Sequence, residues 1–221
     1  MTIFKAVNLW DSIPAELYDG NTYSWYNFIN NVTKDVDNRI SQADDLTGNG
    51  RHLIQSTDDS KPLWSLEGAT FDGLNDYLRA TGWNLTKPTT LYVVMKRTSV
   101  LSNIIIMDGL VANELHFSTY APTRLLTRSG VNSIVTSEGA FISNVTSVFC
   151  LKYDGVNSFI RFGATKTTGT TGSITATGLT LAATADLNTF SPMIFKELII
   201  RSVSDSAETE NVIMDSLISR Y

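Results

Sequence analysis

One cysteine, Cys150, stands in 221 residues, so neither an intrachain disulfide nor a thiolate metal site can form. It lies in the apolar run Val148-Phe149-Cys150-Leu151, away from either histidine in sequence, and reads as a small buried hydrophobe rather than a nucleophile. Only two histidines, His52 and His116, are present, and neither belongs to a ligand motif. No window approaches 18 consecutive apolar residues, which excludes a membrane-spanning helix. The opening stretch Met1 to Asn8 has no basic region followed by an apolar segment of signal length, so synthesis in a cytoplasm without a signal peptide is expected. Charged residues are scarce, 18% against a usual quarter. The net charge of −5 argues against nucleic acid or an anionic membrane surface as a partner.

Hydroxyl and amide side chains take the place of charge: 49 residues are Ser or Thr and 16 are Asn. With 43% apolar residues and frequent β-branching, the chain reads as an all-β protein. Leu91 to Lys96 is apolar on both faces, as a central strand covered on both sides would be, and Asn103 to Met107 is similar. Val148 to Tyr153 and Phe159 to Phe162 flank Asp154-Gly155-Val156-Asn157, a hairpin signal. Met193 to Arg201 is another strand. The Thr/Gly-rich stretch Ala164 to Thr184 reads as exposed loop plus edge strand, not as a linker, and one domain over residues 1–221 is expected. Many short strands joined by turn signals indicate a two-sheet antiparallel jelly-roll sandwich.

Two segments depart from that pattern. Tyr23 to Val36 is helix-compatible, within a partly helical segment near residues 20–40. The last seventeen residues form a helix: Asp205-Ser-Ala-Glu208 has capping-box spacing. Ile213, Leu217 and Tyr221 recur at i, i+4 and i+8, with Met214 and Ile218 beside them, so one face should pack on the sandwich.

Three motifs in order carry a resemblance. Asp45-Leu-Thr-Gly-Asn-Gly-Arg-His52 with Gln55 and Lys61-Pro62, then Gly68-Ala-Thr-Phe-Asp-Gly-Leu-Asn-Asp-Tyr-Leu78, then Phe195 to Ile200 with the closing helix, resemble LamG-like, concanavalin A-like domains; Leu9-Trp10-Asp11 is similar to their opening. The resemblance implies two stacked antiparallel sheets with the helix at one end or on one face. The residues agree, since Gly48 and Gly50 supply positive φ for a tight loop. Asp72 to Asp76 places turn formers between Phe71 and Tyr77-Leu78, as in a hairpin. Relative to the family, Tyr18 to Ile40 is an insertion, and Ala43 stands near a usual Trp whose space Trp25 or Tyr26 could fill.

Hydrolysis of a glycosidic bond needs two facing carboxylates, and no E-x-D-x-E strand pattern occurs. Glu67, Glu114, Glu138 and Glu197 are isolated, while Asp44-Asp45 and Asp58-Asp59 are adjacent pairs that would diverge on a strand. No catalytic residue is therefore assigned and the chain is read as a non-enzyme, with a glycoside hydrolase kept as the third reading. No resident cofactor is expected, but many relatives bind calcium, which Asp72, Asn75 and Asp76, or Asp44, Asp45 and Asn49, could ligate; the competing reading is that these side chains bond their own turns. Glycan binding uses aromatic platforms with amide and hydroxyl donors, for which the candidates are Tyr23, Trp25, Tyr26, Trp83 and Tyr120. The resulting expectation is a bacteriophage virion surface protein: a head decoration, fibre or tail-associated subunit. It would be a homo-oligomer among other virion proteins that adheres to host surface glycans. The alternative is a structural subunit-joining module without a sugar site.

Overall fold

The computed structural model describes residues 13–139 and 141–221; Leu9-Trp10-Asp11 lies outside them. In chain order the strands are β1 (Thr22–Asn27), β2 (Val32–Lys34), β3 (Ile40–Ala43), β4 (Leu53–Ile54), β5 (Leu63–Ser65), β6 (Gly68–Asp72), β7 (Leu78–Leu85), β8 (Thr89–Arg97) and β9 (Ile105–Asp108). They continue with β10 (His116–Ala121), β11 (Arg124–Ser129), β12 (Asn132–Val135), β13 (Thr146–Tyr153), β14 (Ser158–Phe162), β15 (Thr165–Gly169), β16 (Ala176–Leu181) and β17 (Pro192–Arg201), and α1 (Ala207–Arg220) closes the chain. Eight strands make one sheet, in the order β15-β14-β13-β8-β17-β6-β5 with β1 also on β17. The other nine form β12-β11-β10-β9-β16-β7-β4-β3-β2. The pairings within both sheets are antiparallel, and the two faces enclose a core that includes Phe71, Leu91, Val93, Phe117, Phe149 and Phe195. This is the expected all-β sandwich with a C-terminal helix.

Alternation on the central strands sorts their side chains to two apolar layers. Leu91, Val93 and Met95 of β8 face the core between the sheets. Tyr92 and Val94 face outward and join Val148, Cys150, Ile199, Ile213, Met214 and Leu217 in a second cluster under α1. Cys150 is fully buried there, and burial raises its thiol pKa well above normal, so it is the packed hydrophobe expected. Ile218, placed on the helix's apolar side by spacing, is exposed.

The helix begins one residue later than the spacing predicts. Ser206 is the cap, its hydroxyl accepting from the Thr209 amide at 3.2 Å. Asp205 is drawn instead to Arg201, whose Nε lies 2.8 Å from its Oδ2, and accepts from the Tyr92 hydroxyl at 2.8 Å. A buried guanidinium outcompetes backbone amides for that carboxylate.

The expected helical stretch at residues 20–40 is corrected to strand. β1 pairs with β17 from Thr22↔Arg201 to Asn27↔Glu197, and β2 pairs with β3; the nearest helical element is a single 3-10 turn, Ala15–Tyr18. Trp25 packs outward in the cluster under α1 while Tyr26 and Phe28 face the core. Tyr26, not Trp25, therefore shares the inter-sheet core with Ala43. The segment Asp72 to Asp76 is also not a hairpin. β6 pairs with β5 and β17 in one sheet, whereas β7 pairs with β4 and β16 in the other. The turn is a corner between sheets, and Phe71 and Leu78 meet the same core from opposite sides. The turn from β13 to β14 is the hairpin expected, and β15 is the edge strand expected within Ala164 to Thr184. β16, from the same stretch, lies inside the nine-stranded sheet.

β17 carries the architecture. One side pairs with β8 throughout; the other pairs first with β6 and then with β1. A bulge at Lys196 marks the switch. Phe195 before it faces the core, and the Phe28 amide bonds the Lys196 carbonyl at 3.0 Å. Gly68 faces this bulge with φ +126°; a Cβ there would stand 2.0 Å from the Phe195 carbonyl oxygen. No other residue fits.

Candidate functional site

The Asp45 to His52 loop wraps around one carboxylate. Asp45 Oδ1 accepts from the Trp25 amide at 3.2 Å, the Thr47 amide at 3.1 Å and the Thr47 hydroxyl at 2.8 Å. Its Oδ2 accepts from the Arg51 amide at 3.1 Å, while the Asp45 amide donates to His52 Nδ1 at 3.1 Å. Arg51 Nη1 donates to the Tyr23 carbonyl at 2.7 Å and the Leu46 amide to the Trp25 carbonyl at 2.8 Å, so the loop is stitched to β1. Gly48 and Gly50 take φ of +78° and +72°, as the motif requires.

This stitching builds a cleft of about 420 Å³, lined by Leu17, Tyr18, Gly20, Thr22, Trp25, Leu46, Thr47 and Asn49. Tyr18 is 69% exposed and meets Trp25 edge-on, with ring centroids 6.2 Å apart. The Trp25 indole is 3% exposed and held from behind, donating to Glu197 Oε1 at 2.8 Å. Asn49 Nδ2 donates to Thr47 Oγ1 at 2.9 Å, which orients its amide. An exposed ring over a buried indole, beside an oriented amide and a hydroxyl, can stack on the apolar face of a pyranose and bond its hydroxyls.

Of the five sequence candidates, only Trp25 lines this cleft. Tyr26 is fully buried and bonds the Arg51 carbonyl through its hydroxyl, so it is corrected to a core residue. Trp83, 5% exposed, packs edge-on against Tyr23 at 5.4 Å; the Tyr23 ring is covered by the Arg51 guanidinium 3.7 Å from its centroid, and its hydroxyl accepts from the Asn84 amide. Trp83 is thus packed away, and Tyr23 is engaged by Arg51 and Trp83 outside the cleft. Tyr120 is 51% exposed, but stands on β10 in the other sheet with Arg124 beside its ring. Sequence reasoning passed over Tyr18 and Thr47 and read Asn49 only as a turn or calcium residue. The available signal was Tyr18 directly preceding the turn formers Asp19-Gly20-Asn21.

In both candidate calcium sets the aspartates serve turn chemistry, the competing reading given above. Asp72 Oδ1 accepts from the Leu74 amide at 2.7 Å and Asp76 Oδ2 from the Asp72 amide at 3.0 Å. Asp45 is saturated by its own loop, and Asp44 accepts from Gln42 Nε2 at 2.7 Å. Among the described residues no group of three or more His, Cys, Asp or Glu side chains is arranged to hold a metal ion.

Two acid-bearing arrangements bear on catalysis. Ser118 Oγ is 2.9 Å from His116 Nε2, and His116 Nδ1 is 3.4 Å from Asp108 Oδ2. That is the order of a nucleophile, base and orienting acid, yet all three residues are buried and give a substrate no approach. Glu197 is sealed under the end of α1, held by Trp25, by Arg220 at 3.1 Å and by the Tyr221 hydroxyl at 2.7 Å. Neither the Tyr18 cleft nor two others, one beside Lys196 and one beside Phe162, is lined by Asp or Glu.

The architecture and its surface clefts define a two-sheet β-sandwich. No protein-family model matches the chain, and no curated protein sequence matches it. Solved structures do. The Trypanosoma rangeli sialidase in complex with 2,3-difluorosialic acid matches with a TM-score of 0.64 at 9% identity, over 90% of this chain and 33% of that one. An arabinofuranosidase complexed with arabinofuranosyl-α-1,2-xylobiose matches with a TM-score of 0.57 at 14% identity, over 82% and 51%. Botulinum neurotoxin type C, whose cell entry depends on two ganglioside molecules, matches with a TM-score of 0.56 at 13% identity, over 86% and 52%. This chain thus spans about a third to a half of each, and at these identities the likeness is one of fold. The virion-surface reading is overturned by these neighbours, which are mainly glycosidases.

Proposed function

We propose that this chain is a carbohydrate-binding β-sandwich whose saccharide contact is the Tyr18 cleft. The observation that carries the reading is the exposed Tyr18 ring set over Trp25 and beside the oriented Asn49 amide. Neighbours that share the sandwich include a sialidase in complex with difluorosialic acid, an arabinofuranosidase complexed with arabinofuranosyl-α-1,2-xylobiose and a neurotoxin whose cell entry depends on gangliosides, which supports saccharide as the ligand class. Among the described residues, the clefts hold no facing acid pair of the kind that two-carboxylate hydrolysis uses.

Calorimetric titration with a panel of neutral oligosaccharides tests this. Binding should fall about tenfold or more in Tyr18→Ala and in Asn49→Ala, with the thermal midpoint unchanged because both side chains lie at the surface. Tyr120→Ala should leave binding as it was. Absence of binding across the panel, or binding indifferent to Tyr18, would overturn the proposal.

A further inference from the structure

A second cleft, of about 340 Å³, opens where the β17 bulge, the turns after β1 and β5, and the end of α1 converge. Asn27, Ile29, Asn30, Leu66, Lys196, Arg220 and Tyr221 line it, and its volume lies in the range of small-molecule sites, roughly 300–1,000 Å³. It is distinct from the Tyr18 cleft and shares no residue with it.

Its charge is one-sided. Arg220 is committed to Glu197, with Nη1 3.1 Å from Oε2 and Nη2 3.1 Å from Oε1, so that pair is neutral. Lys196 is different: among the described residues its ammonium makes no hydrogen bond or ion pair, and its nearest aromatic, Tyr221, lies 5.8 Å off. The neighbouring acid, Glu67, is already taken by Lys96 at 2.6 Å. Burial lowers the Lys196 pKa, a sign of an ammonium short of solvation. The bulge places this cation, since regular pairing would have used position 196 as an ordinary register residue. Around it stand the exposed amide of Asn30, the apolar surfaces of Ile29 and the exposed Leu66, and Asn27, whose Oδ1 accepts from the Ile29 and Asn30 amides and whose Nδ2 donates to the Tyr221 hydroxyl at 3.3 Å.

We propose that this cleft is a second saccharide subsite that selects a sugar bearing a carboxylate, such as a hexuronic or sialic acid residue. The carboxylate pairs with Lys196, the hydroxyls bond Asn30, and the apolar ring face lies on Ile29 and Leu66. The choice of a sugar rests on the carbohydrate reading above; the choice of an acid rests on Lys196.

The test is NMR titration of the whole chain with glucuronate, galacturonate and N-acetylneuraminate, each against its methyl ester, with acetate as the anion control. The acids should bind, the esters and acetate should bind about tenfold more weakly or not at all, and binding should weaken with salt. Lys196→Met, which keeps the stem, should abolish the preference for acid over ester, Lys196→Arg should retain it, and Tyr18→Ala should leave it intact. Equal binding of acid and ester, or a preference that survives Lys196→Met in a protein of unchanged thermal midpoint, would overturn the subsite. If neutral oligosaccharides still bind through Tyr18 while acids show no preference, this proposal fails alone. If no sugar of either kind binds, the carbohydrate reading fails with it.

Discussion

Arg201 and Asp205 meet where β17 hands over to α1, the guanidinium Nε 2.8 Å from the carboxylate and both side chains only 2% exposed. The same guanidinium reaches Asp19 at 2.7 Å and the Glu16 carbonyl. One arginine thus fastens the final strand, the helix cap region and the segment that bears Tyr18. Replacing it strands Asp205 in a buried site without its cation. Arg201→Met should destabilise the fold by about 3–5 kcal/mol, read as a lower urea midpoint, and adding Asp205→Asn should recover part of that loss. A single variant as stable as the parent would show that the buried pair is not a net contributor.

Asp76 supplies a pH dependence. Burial pushes its carboxyl up to about 6 from 3.8. The folded chain holds a proton that the unfolded chain has already released, so this group's contribution falls as pH rises from about 4 to about 6. Asp76→Asn should be more stable than the parent at pH 7 by about 1–3 kcal/mol, with the advantage gone near pH 3. Parallel pH–stability curves for the two proteins would refute the assignment.

Lys87 acts at higher pH. Its Nζ is buried without a hydrogen-bond partner, 4.8 Å from the centre of the Tyr153 ring, and burial pushes its pKa down to about 7 from 10.5. Between those values the unfolded chain carries the extra proton, so stability should rise with pH from about 7 to about 10. Lys87→Met should flatten that rise and gain about 2–5 kcal/mol at pH 7, checked by chemical denaturation at pH 7 and pH 10.

Gly68→Ala tests the bulge. Its Cβ would stand 2.0 Å from the Phe195 carbonyl oxygen at φ +126°, so β6 and β17 must separate. A loss of about 3 kcal/mol or more is expected, seen as a lower thermal midpoint. Gly20→Ala, where nothing lies within 4 Å, should cost less. Equal effects would mean that backbone conformation, not crowding, is what matters at Gly68.

The sandwich was legible because its central strands are apolar on both faces, and the helix because Ile213 and Leu217 repeat at its period. β1 was not. It lies between the core and the layer under α1, so Trp25, Tyr26, Asn27 and Phe28 are all buried, and the alternation that marks a strand is erased. Asp72 to Asp76 misled for a different reason: its turn bonds are local and the same whether the next strand returns beside the last or crosses to the other sheet. The Asp205 cap failed to a partner on the preceding strand that spacing rules ignore. As for the site, the motif around Asp45 could be read, but the exposure of Tyr18 and the burial of Tyr26 depend on contacts made across the chain.

Asp45 holds its loop through main-chain amides and the hydroxyl of Thr47, so Asn49 can be exchanged without disturbing the anchor. The tip is a socket on a fixed frame: randomising position 49, with Ser or Thr kept at 47 and both glycines retained, should yield folded proteins of altered preference. Diversity would then collect at the ligand's edge while the frame stayed constant.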